Sequence, residues 1–299
     1  MDADAIEKYR KAGNLAGRAR EYGASLVKPG ARMIDVAEAV ERFIRENGGE
    51  CAFPCCISLD ADAAHETPAV LDAREFVEGQ VVKLDCGVQV DGWIGDTAIT
   101  VEVGTSKHAD LMQCTRDALA AALEVVKPNV PIEDISRAIE STIRGRGYKP
   151  IVNLTGHSVD QYVQHAGLSI PNVAQTARGR VQPGTAIAIE PFSTTGAGKI
   201  RDTKGGHIYH FMGARPVRDP VARDALKHIA ERYPKLPFAE RWIAGAVPPE
   251  RVAYAMRLLE RAGAVKQYPI LHEIGEGQVA QFEHTVLVLE SECIVTTKA

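Results

Sequence analysis

Apolar residues recur along residues 27–45, VKPGARMIDVAEAVERFIR, at Met33, Val36, Val40 and Ile44. Steps of three and four mark one face of an amphipathic helix, so a helix with one buried side is predicted here. The pattern returns at a constant offset of 99 in residues 126–144, VKPNVPIEDISRAIESTIR. There Ile132, Ile135, Ile139 and Ile143 occupy the matching positions. Each copy follows another helical stretch, around 5–22 and 107–126, and each ends at glycines, Gly48-Gly49 and Gly145 with Gly147. The likeness extends into strands. Residues 79–85, GQVVKLD, and 184–190, GTAIAIE, each open at a turn glycine, run apolar, and end in a carboxylate six residues on. The pattern predicts a duplicated α+β unit whose two sheet halves pack about a pseudo-two-fold axis. Equivalent strand ends, with their carboxylates, would then meet at the centre.

The second half is interrupted. After Glu190 comes a Gly-rich stretch, STTGAGK at 193–199, and then a different kind of chain. Short helices are predicted near 219–233 and 249–263, among prolines at 216, 220, 234, 237, 248, 249 and 269. Strand character resumes at 279–289 and 293–297. The expected organisation is a main domain over 1–201, a helical insert over 202–272, and a return to the main domain over 273–299. A winged-helix-like form is one option for the insert.

Composition narrows the function classes. Of 299 residues, 45% are hydrophobic and 25% charged, which excludes a disordered or collagen-like chain. No apolar run reaches the roughly 18 residues of a membrane span, and the acidic start, Met1-Asp2-Ala3-Asp4, lacks the basic region of a signal peptide. A cytoplasmic protein with no membrane partner is expected. The net charge of -4 argues against dedicated DNA binding. Charge is uneven, however: residues 201–272 hold 13 Lys+Arg and 7 Asp+Glu, and the remainder holds 22 and 32. The six cysteines show no C-x-x-C or zinc-ribbon spacing and are read as buried thiols in a reducing compartment.

The sharpest chemical feature is VVKLDCGVQVDGWIGDTAITV. Asp91-Gly92 between alternating apolar residues signals a hairpin. It is expected to bring Asp85 and Asp96 to facing positions about 5 Å apart. Two carboxylates so placed need a neutraliser, and a divalent cation is the natural one. Glu190, in AIAIEPF, and Glu283, in VAQFEHTVLV, also sit in apolar strands where an unpaired carboxylate is costly to bury. His284 follows Glu283 and should point to the opposite face. In LTGHSVDQYVQHAG, His157 follows a glycine and His165 lies eight residues on. Asp85, Asp96, His157, Glu190 and Glu283 form an oxygen-rich set suited to two divalent ions such as Mn, Fe, Co or Zn. Two such ions held together describe a hydrolase of amides or esters. His65, in AAHETP, is not part of an H-E-x-x-H motif, so a zincin is excluded.

The stretches FPCCISLDADAAHETP, LDCGVQVDGWIGDTA, LTGHSVDQYVQHAGLSIPN, AIAIEPFSTTGAG and AQFEHTVLV occur together and in order. In these the sequence resembles the type 2 methionine aminopeptidases of archaeal kind, over nearly the whole chain. The resemblance implies the duplicated pita-bread (creatinase/aminopeptidase) α+β fold, with a helical insert between the last two glutamate ligands. It implies two divalent metal ions per chain on Asp85, Asp96, His157, Glu190 and Glu283. It implies that Glu190 also moves a proton, and that His65 and His165 contact substrate and assist catalysis. Phe53 and Phe192 correspond to apolar walls of the methionine pocket, and His207 to a further pocket histidine. Gln164 departs from the aliphatic residue expected before His165, which makes that wall more polar.

The activity so implied is removal of the initiator methionine from nascent chains with a small second residue. Nascent N-termini are the expected partners, the ribosome is a further one through the basic insert, and a monomer is the default state. Two rivals stand beside it. A proline-specific aminopeptidase or prolidase shares the five ligands. A non-catalytic ribosome- or RNA-binding protein of the same fold would draw on the basic insert.

Overall fold

The computed structural model describes residues 1–298. Helices α1 (Ala3–Leu26) and α2 (Met33–Glu46) pack on a long hairpin, Val81–Val90 and Trp93–Glu102. Helices α3 (Ala109–Val125) and α4 (Ile132–Gly145) repeat the arrangement in the second half. The two apolar stripes are the reason these segments settle as they do. Met33, Val36, Val40 and Ile44, and their counterparts Ile132, Ile135, Ile139 and Ile143, are at most 3% exposed. Burying each such side chain contributes roughly 1.5–3 kcal/mol. The stripes feed two separate cores, one per half.

The helices also stop alike. The Gly49 amide bonds the Ile44 carbonyl, and 99 residues on the Tyr148 amide bonds the Ile143 carbonyl. Between them Gly48 and Gly147 adopt φ of 83° and 82°. That left-handed conformation ends a helix and is strained for residues with a Cβ.

Beside the hairpin, the first half adds the short strands Glu50–Cys51 and Cys56–Leu59, both antiparallel to Val81–Val90. The second half is a five-stranded antiparallel sheet, ordered Cys293–Val295, His284–Val288, Thr185–Ile189, Thr155–Val159, Ser169–Pro171. One expectation is corrected here. Thr185–Ile189 does stop at the carboxylate of Glu190, but Val81–Val90 runs five residues past Asp85, because alternation continues to the two-residue turn at Asp91-Gly92.

The halves are joined largely by threonines. Thr97 Oγ1 donates to the Glu283 carbonyl at 2.7 Å, and Thr285 Oγ1 donates to the Asp96 carbonyl at 2.8 Å. Thr100 Oγ1 donates to the Gln281 carbonyl at 2.6 Å, and the Glu283 amide donates to the Ala98 carbonyl at 3.1 Å. A strand of one half therefore lies directly against the Glu283 segment of the other.

The insert leaves through the strand Ile200–Thr203 and returns through Ile270–Glu273, which pair antiparallel with Arg201 opposite His272. The central sheet is not threaded. The returning strand also pairs with Asp62–Ala64, immediately before His65, so the stem of the insert helps place that histidine. The insert is not purely helical. It holds α5 (Pro220–Arg232) and α6 (Pro249–Arg261), and also a three-stranded sheet of Ile208–Phe211, Phe238–Ala239 and Val265–Gln267. These strands are two to four residues long, too short for period-two alternation to register. Their packing with the helices forms an independent core around Ile229, Ile243, Met256 and Leu259.

A buried ion pair fastens the insert to the first half. Glu41 on α2 pairs with Arg241, accepts from Trp242 Nε1 at 2.7 Å and from the Cys55 amide at 3.1 Å. Arg241 also donates to Thr67 Oγ1 at 2.7 Å. Glu41→Ala leaves the guanidinium buried without its counter-charge. It is expected to destabilise the fold by about 3–5 kcal/mol, read as a lower urea midpoint. A change within a few tenths of a kcal/mol would show that the pair does not hold the insert in place.

Among the described residues no helix is long and apolar enough to cross a membrane. All six cysteines are free.

Candidate metal centre

Five elements converge on one small cavity where the halves meet. Asp85 and Asp96 lie on the two strands of the hairpin, and His157 lies on Thr155–Val159. Glu190 directly follows Thr185–Ile189, and Glu283 directly precedes His284–Val288. His284 pairs with Ile189, so Glu190 and Glu283 oppose each other one step beyond the ladder. The structure brings together all five residues anticipated as ligands.

Asp85 and Asp96 do not face each other as expected. The turn pairs Val90 with Trp93, which puts Asp85 opposite Ala98 and Asp96 opposite Gly87. The carboxylates are diagonal neighbours, offset by two residues and therefore on the same face. The vacancy at Gly87 has a use. A Cβ there would fall 2.2 Å from the Phe53 ring, so glycine leaves the space that this ring occupies against the hairpin.

Burial and mutual repulsion dominate the electrostatics. Burial pushes the Asp85 carboxyl up to about 7. Burial raises Asp96 well above the usual carboxylate range, with Asp85 adding to it. Burial also raises Glu190 and Glu283 well above that range, with Asp85 and Asp96 adding to the first and Asp96, Glu190 and Asp85 to the second. Burial, aided by His165, lowers His157 to about 3, so its imidazole is neutral. His157 Nδ1 lies 3.3 Å from the Ser158 carbonyl. Donation there leaves the Nε2 lone pair facing Asp96 at 3.7 Å and Glu190 at 3.5 Å. Gln281 Nε2 approaches Asp85 and Glu190 at 3.4 Å each. Buried oxygens of Asp85, Asp96 and Glu283 have no hydrogen-bond partner. One ligand atom each from Asp96, His157 and Glu283 lies within 4.8 Å of the others. Partnerless carboxylate oxygens around a neutral imidazole fit a divalent cation, which would satisfy those oxygens and remove the repulsion.

His65 and His165 line the same cavity. The His165 ring stands edge-on to His157 with centroids 4.4 Å apart, and His65 stands edge-on to Tyr268 at 5.7 Å. Burial, with His165 nearby, lowers His65 to about 4. Its backbone is held at φ 65°, a costly conformation for histidine, maintained by the adjoining strand pair. Gln164 lines the cavity too, as the polar wall expected.

Two anticipated pocket residues lie elsewhere. Phe192 is 1% exposed and packs among Ala63, Ile151, Ile200 and Val279, away from the cavity lining. His207 sits at the edge of the insert with Nδ1 3.0 Å from Glu240, and its neighbour Ile208 lines the cavity instead. His284 points to the far side of the sheet, as expected, where its Nδ1 meets Thr297 Oγ1 at 2.8 Å.

Some residues carried no sequence signal. Ile208, Pro237 and Tyr268 come from the insert and line the cavity together with Phe53. Gln281 did carry one: a polar residue two positions before Glu283 in an apolar strand must share its face. Cys56 also lines the cavity, but burial keeps its thiol well above the usual range and unreactive.

Comparisons with known proteins agree with this geometry. The model of metallopeptidase family M24 matches residues 7–290. The chain is 47% identical to a methionine aminopeptidase of Thermococcus kodakarensis over 295 residues, covering 98% of this chain and all of that one. It is 44% identical to a methionine aminopeptidase of Methanocaldococcus jannaschii over 298 residues, covering both chains fully. Among solved structures, a thermophilic Arx1 superposes with TM-score 0.86 at 17% identity, covering 99% of this chain and 91% of that one. A methionine aminopeptidase of Thermotoga maritima superposes with TM-score 0.73 at 22% identity, covering 100% and 98%. At those identities the two structures speak for the fold alone.

Proposed function

The chain belongs to metallopeptidase family M24, and from that premise we propose that it removes the N-terminal methionine from polypeptides whose second residue is small. Its fold is the duplicated pita-bread α+β fold, and it is a metalloaminopeptidase. The observation that carries the activity is the convergence of four carboxylates, those of Asp96 and Glu283 buried, and a neutral imidazole on one small cavity. Full-length identity of 44–47% to methionine aminopeptidases supports the choice of substrate.

Asp85, Asp96, His157, Glu190 and Glu283 would hold two divalent ions, drawn from Mn, Fe, Co or Zn. Bound there, such ions supply Lewis acidity toward a peptide carbonyl and make water a better nucleophile at neutral pH. The remaining work falls to side chains. Glu190 would take a proton from water and return it to the leaving amine. His65 is neutral at physiological pH, so it orients the scissile peptide by hydrogen bonding without adding charge. His165 shares that task. Phe53, Ile208 and Tyr268 give the methionine thioether an apolar surface, which suits its flexible, polarisable chain.

The remaining assignments are part of the same proposal. Six free cysteines suit a reducing compartment, here the cytoplasm. The excess of cations over 201–272 supports contact with the ribosome, and the working state is a monomer. The deciding assay compares Met-Ala-Ser with Xaa-Pro peptides on metal-restored protein. At least a hundredfold higher kcat/KM for Met-Ala-Ser is expected. Equal or faster cleavage of Xaa-Pro peptides would assign a prolidase instead.

A further inference from the structure

Beside the catalytic cavity lies a larger depression of about 660 Å³ between the first half and the insert. Pro237 lines both, so they share a wall. Tyr162, on the loop that carries His165, forms another side of the larger one. The catalytic cavity itself measures about 50 Å³. That is space for about four atoms of water size, at roughly 10–15 Å³ each. A space of that size cannot take in a peptide, and bound metal ions would occupy part of it. Most of a polypeptide must therefore lie outside, and the adjoining depression can receive it.

Its walls carry a chemical preference. Tyr162, Tyr233 and Trp242 offer aromatic surface to an extended chain. Arg45 stacks on Trp242 at 5.4 Å and lies 3.8 Å from Glu50, so those two charges are already matched. Lys235 is held over the Tyr162 ring at 4.3 Å. Lys235 and Arg232 then face only one further carboxylate in the groove, Glu231. Both cations are exposed.

We propose that this groove binds the substrate polypeptide beyond its second residue and favours acidic residues there. The proposal rests on the aminopeptidase activity above and extends it to a preference that short peptides cannot reveal. A polypeptide is favoured over a nucleic acid because the groove adjoins the cavity that holds the chain's first residue.

The test uses Met-Ala-Ser extended by three glutamates or by three lysines, with Met-Ala-Ser itself as reference on each preparation. For the wild-type chain kcat/KM should be about fivefold higher for the acidic peptide, mainly through KM. Arg232→Glu with Lys235→Glu should reverse the order. Equal values for the two extended peptides, or an unchanged preference in the double variant, would overturn the proposal. Affinity for a dye-labelled product peptide, Ala-Ser followed by three glutamates, reads the groove without turnover. A preparation that leaves Met-Ala-Ser uncut counts against the aminopeptidase activity, and the labelled peptide then still decides the groove. An oligoribonucleotide that binds where the labelled peptide does not would assign the groove to RNA and refute the proposal.

Discussion

His157→Ala will cost the chain its metal, whereas His65→Ala will keep the metal and lose turnover. His157 Nε2 faces Asp96 and Glu190 within the carboxylate cluster, and Nδ1 is engaged by the Ser158 carbonyl. Removing it deletes the one nitrogen donor of the set, so metal content should fall severalfold and activity with it. His65 lines the same cavity but stands against Tyr268. Its loss removes a group that orients the scissile peptide, a kind of contribution that costs on the order of 10²–10³ in kcat. His65 has φ 65°, and asparagine tolerates that conformation better than alanine, so His65→Asn separates the side-chain role from backbone strain. His65→Ala and His65→Asn should both bind metal at wild-type stoichiometry. Metal analysis and kcat on the same preparations make the comparison, and loss of metal from His65→Asn as complete as from His157→Ala would overturn the assignment.

Chelation will abolish turnover and also invert the dependence of stability on pH. Asp85 ordinarily titrates near 3.8, and burial pushes it up to about 7 in the folded chain. Between those values the metal-free folded chain holds a proton that the unfolded chain has released. Its stability must therefore fall as pH rises through that window, by a few kcal/mol per fully shifted carboxyl at about 1.4 kcal/mol per pKa unit. Asp96, Glu190 and Glu283 are raised too and steepen the trend. With divalent ions bound the carboxylates are ionised, protons compete with metal, and stability should instead fall as pH drops. Thermal midpoints at about pH 5 and pH 8, with and without metal, give the contrast. A metal-free chain that is more stable at pH 8 would show that the cluster does not hold its repulsion in the absence of ions. Activity should return with Mn, Co, Fe or Zn, and full activity in protein free of metal by elemental analysis would exclude the metallopeptidase mechanism.

Much of the molecule was written locally. The stripes on α2 and α4 and the stops at Gly48 and Gly147 follow from three- and four-residue periodicity and from one backbone conformation, both visible along the chain. The candidate ligands stood out because a carboxylate in an apolar strand is expensive without a partner, and resemblance to a known family named the same five. The offset of Asp85 from Asp96 also lay within reach, since a two-residue turn at Asp91-Gly92 already pairs Asp85 with Ala98.

The walls of the cavity were different. Phe192 was expected at the pocket and lies in a core, while Ile208, Pro237 and Tyr268 reach the pocket from an insert far along the chain from Phe53. The insert's sheet escaped notice because its strands are too short for alternation and are held by packing on α5 and α6. By itself, then, the sequence determined the duplicated helices and strands and the identity of the carboxylate cluster, which rest on local periodicity and on the cost of burying charge. Only the tertiary structure decided which apolar side chains face the cavity and which fill the core, because that choice depends on contacts between separate elements and between the halves and the insert, for which neither periodicity nor composition leaves a trace.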